Sequence, residues 1–389
     1  MRILFVIQGE GRGHLTQALS LRQKLEAEGH EVVAALVGKS PVRCLPYFFL
    51  RKIGVPIHTF ESPNFLPTAQ NKQVNLWKSI AYNAFRTPKY LHSMRFIARM
   101  IRETKAEVVV NFYELLTGLT YALFRPKATM ICVAHQYLFL HPEFRFPSGY
   151  ALSLASLCFF TRLTAIGATK KLALSFRKMP EVVGKGLVVV PPLLRQEVLE
   201  QTPIRGDYLH GYLLNSGFSE EVQAWHSRHP AVGLHFFWDK RGVQAEERVD
   251  DTLSFHALDD QLFVQYMAGA KAYATTAGFE SVCEAMFLDK PVLMVPTHIE
   301  QRCNAYDAAL SGAGVASEDF NLDKLLSLAE RPVEHVAFRH WVRQADWLIL
   351  REFREDLSCE RHSFSGWGRT PARWIGRLEK FFSVCLILP

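Results

Sequence analysis

Residues 275–304 read TTAGFESVCEAMFLDKPVLMVPTHIEQRCN. The stretch starts at the end of a short apolar strand, predicted over Ala272–Thr275, and passes through small residues into a helix predicted over Phe279–Phe287. A second strand at Pro291–Val295 then leads to a helix at Gln301–Leu310. This order indicates a βαβ unit with parallel strands. The backbone N–H groups at the start of the first helix can approach an anion such as a pyrophosphate.

The N-terminus shows the same order of elements. Ile3–Gln8 is a continuous apolar run that predicts a buried parallel strand, and a helix is predicted from about Leu15 to Glu28. Between them lies the glycine-rich loop Gly9-Glu10-Gly11-Arg12-Gly13-His14. Its alternating glycines permit a tight turn and a close approach of the backbone to a ligand, although a purely structural turn is an alternative. The spacing differs from the Gly-x-Gly-x-x-Gly of dinucleotide-binding folds.

Further strand and helix signals alternate through both halves of the chain, which predicts an α/β protein with two Rossmann-like, doubly wound domains facing a central cleft. The charge changes sign between the halves. Residues 1–206 hold 27 Lys and Arg against 12 Glu and no Asp, a net charge of +15, whereas residues 207–389 carry −8. We therefore predict an N-terminal acceptor-side domain at 1–204, a C-terminal domain at 205–358, and a basic and apolar tail at 359–389.

Composition limits the class of protein. The chain is 49% hydrophobic and 21% charged over 389 residues, which suffices for two cores. Its longest apolar runs, Tyr150–Phe160 and Phe381–Leu388, are shorter than the roughly 18 residues of a membrane span. The seven cysteines are scattered without metal-ligand spacing, as in a cytoplasmic protein with reduced thiols. The basic half suggests an anionic partner.

Several residues of the two strand–turn–helix units have side chains suited to binding or catalysis. His14 begins a helix, where the dipole keeps an imidazole neutral and able to act as a general base, although local packing is an equal alternative. Glu284 is placed to accept hydrogen bonds from two ribose hydroxyls, although a solvated helix acid is the simpler interpretation. Glu300 and Gln301 can bind sugar hydroxyls from the start of the next helix.

The pattern Gly278-x5-Glu284, followed by Pro296 and by Glu300-Gln301-x-x-Asn304, resembles the nucleotide-sugar segment of GT-B-fold glycosyltransferases. These include the plant and antibiotic UDP-glycosyltransferases and the bacterial enzyme that adds N-acetylglucosamine to a lipid-linked peptidoglycan precursor. The loop that ends in His14 resembles their acceptor-side loop. The two motifs lie on opposite predicted domains, and the resemblance extends over nearly the whole chain.

The resemblance implies a role for each matching position. His14 would stand near the acceptor hydroxyl, and Glu284 would bind the ribose. The diphosphate would lie near Thr276, Gly278, Phe279 and Ser281, with Ser216 and Gly217 as a further phosphate-side loop. Glu300 and Gln301 would bind the donor sugar, and residues 255–258 would contact the base through the backbone.

The sequence does not determine which residue would partner His14. The family's histidine is usually paired with an aspartate, which this domain lacks. Asn111 and Glu114 occupy the nearest equivalent region, and either Glu114 or Glu10 would orient or replace His14; Glu61 is a more distant candidate. No Asp-x-Asp occurs, and we expect neither a metal nor another cofactor.

The expected function is sugar transfer from a nucleoside-diphosphate sugar, in the first place a UDP-sugar, to a hydroxyl of an anionic or lipid-linked acceptor. The transfer would invert the anomeric centre. We expect a cytoplasmic protein that does not bind nucleic acid, with peripheral contact to the inner face of the cell membrane as an option. A docking surface of Tyr150–Phe160 with Arg145, Arg162, Lys170 and Lys171 would serve that contact. The alternatives are a UDP-N-acetylglucosamine 2-epimerase-like enzyme and a non-enzymatic binder of nucleic acid or lipid surfaces.

Overall fold

The computed structural model describes residues 1–41, 43–63, 86–182, 184–213, 218–238, 245–330 and 332–354. Within these ranges the chain forms two seven-stranded sheets flanked by helices. Buried apolar residues pack on both faces of each sheet, which explains why the central strands are nearly continuous apolar runs. The α/β fold predicted from the sequence is confirmed.

The first sheet is entirely parallel, with the order β3-β2-β1-β4-β5-β6-β7. Its strands are β1 (Arg2–Gln8), β2 (Glu31–Lys39), β3 (Ile57–Glu61), β4 (Val108–Phe112), β5 (Thr129–Ala134), β6 (Lys170–Leu174) and β7 (Leu187–Val190). The helices that accompany it are α1 (Gly13–Ala27), α2 (Tyr47–Lys52), α3 (Thr87–Glu103), α4 (Leu115–Phe124), a 3-10 helix (His135–Leu140), α5 (Ala151–Thr164) and α6 (Gln196–Leu199).

The second sheet has the order β10-β11-β9-β8-β12-β13-β14 and is parallel except for β10 at its edge. Its strands are β8 (Tyr208–Leu213), β9 (Gly233–Trp238), β10 (Glu246–Arg248), β11 (Leu253–Ala257), β12 (Ala272–Thr275), β13 (Val292–Met294) and β14 (Gly314–Ala316). The helices that follow are α7 (Ser219–His226), α8 (Asp260–Gly269), α9 (Phe279–Phe287), α10 (Ile299–Leu310), α11 (Leu322–Ala329), α12 (Val336–Val342) and α13 (Ala345–Arg354).

The strand order reverses direction once in each sheet. The reversal lies between β1 and β4 in the first sheet and between β8 and β12 in the second. Loops that follow strands at such a switch point diverge and leave a crevice in which ligands bind. The glycine-rich loop after β1 and the small-residue turn after β12 therefore occupy the position in each sheet where a ligand site is expected.

The sequence also predicts a helix from Val74 to Arg102 that is interrupted near Pro88. Residues 74–85 lie outside the described residues, and α3 begins at Thr87 with Pro88 in its first turn, where proline is favourable. Strand β6 was missed, because its first two residues, Lys170 and Lys171, were interpreted as part of a membrane-docking surface. Lys170 instead pairs with Glu352 at 2.7 Å, within the fold.

The last described helix, α13, lies against the first sheet although it follows the second. It packs beside α1 and β7, and ion pairs join Lys24 to Asp346 and Glu28 to Arg354. The predicted tail at 359–389 lies outside the described residues, and the predicted domain limits stay predictions. In the part of the chain that is described, no helix has the length and apolar character that a membrane span requires.

Candidate functional site

The candidate site lies where the carboxyl ends of the two sheets meet. From the first sheet come the loop after β1, the turn after β4 and the 3-10 helix after β5. From the second come the turn after β12 and the loop after β13. Two of these turns contain non-glycine residues with left-handed backbone angles, Tyr113 at φ 59° after β4 and Ala277 at φ 62° after β12. Such conformations cost free energy and concentrate at functional sites.

His14 lies in the first turn of α1 and is 9% exposed. Its Nδ1 is 3.2 Å from Oε1 of Gln17, one turn further along the helix, and its ring stacks on Tyr113 at 5.7 Å. Burial lowers the pKa of His14 below its usual value, and this effect exceeds the opposing influence of the Gln17 hydrogen bond and the Glu300 charge. The imidazole is therefore neutral at pH 7, as a general base requires.

Glu114 caps helix α4 and has no exposed surface. Its Oε1 accepts hydrogen bonds from the backbone N–H of Leu116 at 3.0 Å and from the Ser62 hydroxyl at 2.7 Å. A Cβ atom on Gly38 would lie 2.3 Å from the other carboxylate oxygen, so this site requires glycine at position 38. Burial raises the pKa of Glu114 to about 7, even though both hydrogen bonds lower it.

The other candidates near the base have structural partners. Glu10 accepts a hydrogen bond from the backbone N–H of Ser40, in the loop after β2. Asn111 holds the turn after β4, since its amide oxygen accepts from Glu114 N at 2.9 Å. Glu61 pairs with Arg86. None of these contacts reaches the His14 ring.

The turn after β12 leads into α9 through Gly278, the N-cap residue. Thr276 is 1% exposed, and the Ser281 hydroxyl donates to the Gly278 carbonyl at 3.2 Å. Phe279 stacks on His135 at 4.0 Å and contacts Phe176 at 4.7 Å. Phe279 therefore packs against side chains of the first sheet, and its ring joins the two halves of the molecule.

Glu280, for which the sequence suggested no role, forms the direct polar contact between α1 and α9. The Gln17 side chain donates through Nε2 to Glu280 Oε1 at 2.5 Å. A Cβ atom on Gly13 would lie 3.3 Å from Glu280 Cγ, so glycine at position 13 lets the two helices approach closely. Burial raises the pKa of Glu280 to about 8, with the Gln17 hydrogen bond acting in the opposite direction.

Glu284 is 3% exposed and pairs with Arg195, which precedes α6. Arg195 Nε and Nη2 donate to the two carboxylate oxygens at 2.6 Å and 3.0 Å, the bidentate geometry characteristic of strong pairs. The guanidinium also donates to the Asp260 carbonyl at 3.2 Å and lies 5.9 Å from the Phe263 ring centre. The carboxylate predicted to bind ribose is thus held in one orientation by an arginine from the first half of the chain.

Glu300 and Gln301 lie in the first turn of α10, and each has a partner. Gln136 of the 3-10 helix donates to Glu300 Oε1 at 2.8 Å, which forms a second polar link between the two halves. Gln301 Oε1 accepts from the backbone N–H and the hydroxyl of Thr297, at 2.9 Å and 2.8 Å. Ser216 and Gly217, the predicted phosphate-side loop, lie outside the described residues.

The structure thus brings His14 close to Glu300 and, through Gln17, to α9, while Glu284 faces Arg195. Sequence reasoning missed three residues of this arrangement, Gln17, Gln136 and Arg195. A signal existed for Gln17, because residues three apart on a helix face the same side. No local pattern indicates Gln136 or Arg195, whose partners lie 164 and 89 residues away.

Comparisons with known proteins agree with this fold. Residues 1–331 match the family described as Glycosyl transferase family 1. No curated protein matches the chain significantly. Similar solved structures include the glycotransferase of kitacinnamycin, with a TM-score of 0.59, 18% identity, and coverage of 90% of this chain and 98% of that chain.

Two further structures have the same fold at low identity. Arabidopsis thaliana UGT89C1, complexed with UDP-L-rhamnose, has a TM-score of 0.61 and 14% identity over 92% of this chain and 98% of its own. Acinetobacter baumannii MurG has a TM-score of 0.52 and 14% identity over 91% of this chain and 99% of its own.

Proposed function

The chain belongs to glycosyl transferase family 1, and on this premise we propose that it transfers a sugar from a UDP-sugar to an acceptor hydroxyl, with inversion and without a metal. That it is a glycosyltransferase with the two-domain GT-B fold follows from the family match and the structural neighbours. The donor base, the stereochemistry and the independence from metal are our proposal.

The observation that carries the proposal is the hydrogen bond between Gln17 and Glu280. It joins the helix that bears His14 to the helix that follows β12. The candidate base and the candidate diphosphate site therefore lie at the same contact between the two halves. Among the described residues, no side chain caps the N-terminus of α9 or α10. Their first N–H groups have no partner within the helix and favour an anion.

The proposed reaction requires one base and a stabilised leaving group. Nε2 of His14 takes the proton from the acceptor hydroxyl, whose oxygen forms a bond to the anomeric carbon. The bond from that carbon to the diphosphate oxygen breaks on the opposite face, which inverts the centre. The diphosphate leaves with the electron pair, and the N-terminus of α9 stabilises its negative charge. The neutral state of His14 suits the first step.

We propose that the donor is held along the second sheet. Glu284 accepts hydrogen bonds from the ribose hydroxyls, Thr276, Gly278 and Ser281 lie at the diphosphate, and Glu300 and Gln301 bind the sugar. Each carboxylate oxygen of Glu284 has a further lone pair beside the one that Arg195 uses, so ribose and arginine can bind together. The UDP-L-rhamnose complex of UGT89C1 is consistent with a UDP-sugar donor.

The acceptor is proposed to be anionic or lipid-linked, because residues 1–206 carry a net charge of +15. A groove of about 590 Å³ lies between the loops that follow β5 and β6 and Leu310 of the second half. Arg145 and Lys178 are exposed in this groove.

Isothermal titration with UDP, other nucleoside diphosphates and UDP-sugars tests the donor, and NMR of the products tests the reaction. Binding of UDP, with sugar transfer only when an acceptor is added, is the expected result. Conversion of the UDP-sugar without an acceptor would indicate an epimerase instead. Failure to bind any nucleoside diphosphate would exclude the proposal.

A further inference from the structure

We propose that Gln17 and Glu280 position His14 by selecting the ring tautomer with hydrogen on Nδ1, so that Nε2 is free to accept the proton of the acceptor. This inference rests on the proposed role of His14 as the base. A glutamine and a carboxyl group beside the second sheet then have the role that an aspartate would otherwise have. Gln17 and Glu280 are thus positioning residues that act through His14.

The tautomer follows from the order of donors and acceptors. Glu280 Oε1 accepts from Gln17 Nε2 at 2.5 Å, which a carboxyl group does equally when its proton is on Oε2. This contact fixes the amide nitrogen of Gln17 toward α9. The amide oxygen must then face His14, whose Nδ1 lies 3.2 Å away. Because an amide oxygen only accepts hydrogen bonds, Nδ1 must be the donor. A neutral imidazole with hydrogen on Nδ1 carries its free lone pair on Nε2.

The carboxylates of the first half have other partners. Glu114 accepts from Leu116 and Ser62, and Glu10 accepts from Ser40. An amide also differs from a carboxylate in its effect on the base, since it orients the ring without adding a full negative charge beside it. This agrees with the neutral state that burial imposes on His14.

The groups that face His14 come from four elements. They are Gln17 on α1, the Tyr113 ring after β4, Glu300 on α10 and, through Gln17, Glu280 on α9. Two of the four elements belong to the second sheet. The tautomer of His14 is therefore set only while the two sheets are in contact, which links the orientation of the base to the position of the donor-side helices.

The experiment is long-range ¹H–¹⁵N NMR of the full chain with ¹⁵N-labelled histidine, together with steady-state kinetics. We expect the wild type to show the Nδ1–H form at His14. Gln17→Ala should increase the Nε2–H form and lower kcat by roughly 10- to 100-fold, with little change in the donor KM. Gln23→Ala, an exposed glutamine of the same helix, is the matched control and should change neither.

Variants at position 280 test whether Glu280 acts on His14 through Gln17. Glu280→Gln keeps an acceptor oxygen and should retain the Nδ1–H form, whereas Glu280→Leu should lose it. Retention of the Nδ1–H form and of kcat in both Gln17→Ala and Glu280→Leu would overturn the inference. If His14→Ala is inactive while Gln17→Ala is normal, only the positioning role fails. If His14→Ala turns over normally, the proposed base itself is wrong.

Discussion

Arg195 binds both carboxylate oxygens of Glu284, through Nε at 2.6 Å and Nη2 at 3.0 Å, and both side chains are largely buried. The arginine precedes the second sheet in the chain, and the glutamate lies on α9 within it. The pair therefore fixes the carboxylate that we propose as the ribose ligand. The same ion pair joins the segment before α6 to the candidate donor site.

Arg195→Ala should weaken donor binding and destabilise the fold. Removing one partner of a buried ion pair leaves an uncompensated charge, which typically costs about 3–5 kcal/mol. Denaturant unfolding and titration with UDP measure the two effects. Arg248→Ala is the control, because Arg248 pairs with Asp251 on the surface and should contribute less than about 1 kcal/mol. Equal stability of the two variants would contradict the assignment.

The pH dependence of kcat/KM should distinguish His14 from Glu114 as the base. A base must be deprotonated, so activity falls as the pH drops through its pKa. The pKa of His14 is lowered below 6.5 by burial, whereas burial raises that of Glu114 to about 7. We expect the acidic limb below pH 6.5, and a limb near pH 7 that disappears in Glu114→Gln would indicate the glutamate.

His14→Ala should lower kcat by roughly 10²- to 10⁴-fold, the usual contribution of a general base. Glu114→Gln should keep most activity, because a glutamine oxygen can still accept from Leu116 and Ser62 and cap α4. Circular dichroism and UDP titration establish that both variants fold and bind. The reverse order of activities would show that the glutamate carries the chemistry.

Stability should decrease between about pH 5 and pH 8 because of Glu280. Its pKa is raised to about 8 in the folded chain, so the folded state binds this proton more tightly than the unfolded state. The contribution of this group to the free energy of unfolding is present at low pH and is lost as the pH rises through 8. One such proton changes the unfolding free energy by at most about 1.4 kcal/mol per pH unit. Glu280→Gln should flatten the profile, and an unchanged slope would contradict the burial of the carboxyl.

Phe279→Ala should destabilise the contact between the sheets. The ring stacks on His135 and contacts Phe176, and its loss should cost about 3–5 kcal/mol in unfolding experiments. Phe124→Ala is a suitable control because Phe124 is exposed. If both substitutions cost the same, the aromatic contact contributes little to joining the two halves.

Local patterns were sufficient to predict most of the secondary structure near the site. The strand at Ala272–Thr275 and the helix at Phe279–Phe287 have the predicted bounds. Asp259 caps α8, with its carboxylate accepting from the backbone N–H groups of Gln261 and Leu262. These features depend on neighbours within one or two turns, and so hydrophobic periodicity and capping chemistry specify them.

Strand β6 was not recognised, because two lysines at its start mask a short apolar run. Only the fold shows that Lys170 pairs with Glu352, 182 residues later. Similarly, the sequence placed His14, Glu10 and Glu114 near one strand edge, but the burial and partners that differentiate them come from packing. The sequence does not show that the Glu114 carboxylate caps a helix, and it does not show that a glutamine holds His14.

The sequence by itself determined two successive βαβ arrays, a change of charge between the halves, and the positions of the glycine-rich loop and the turn after Thr275. Those properties follow from periodicity, composition and turn chemistry, which act over a few residues. The tertiary structure alone decided that Gln17 contacts Glu280, 263 residues away, and that Arg195 binds Glu284. Such contacts depend on how two sheets pack against each other, because the geometry of a buried pair is set by the surrounding fold rather than by the neighbours of either residue in the chain.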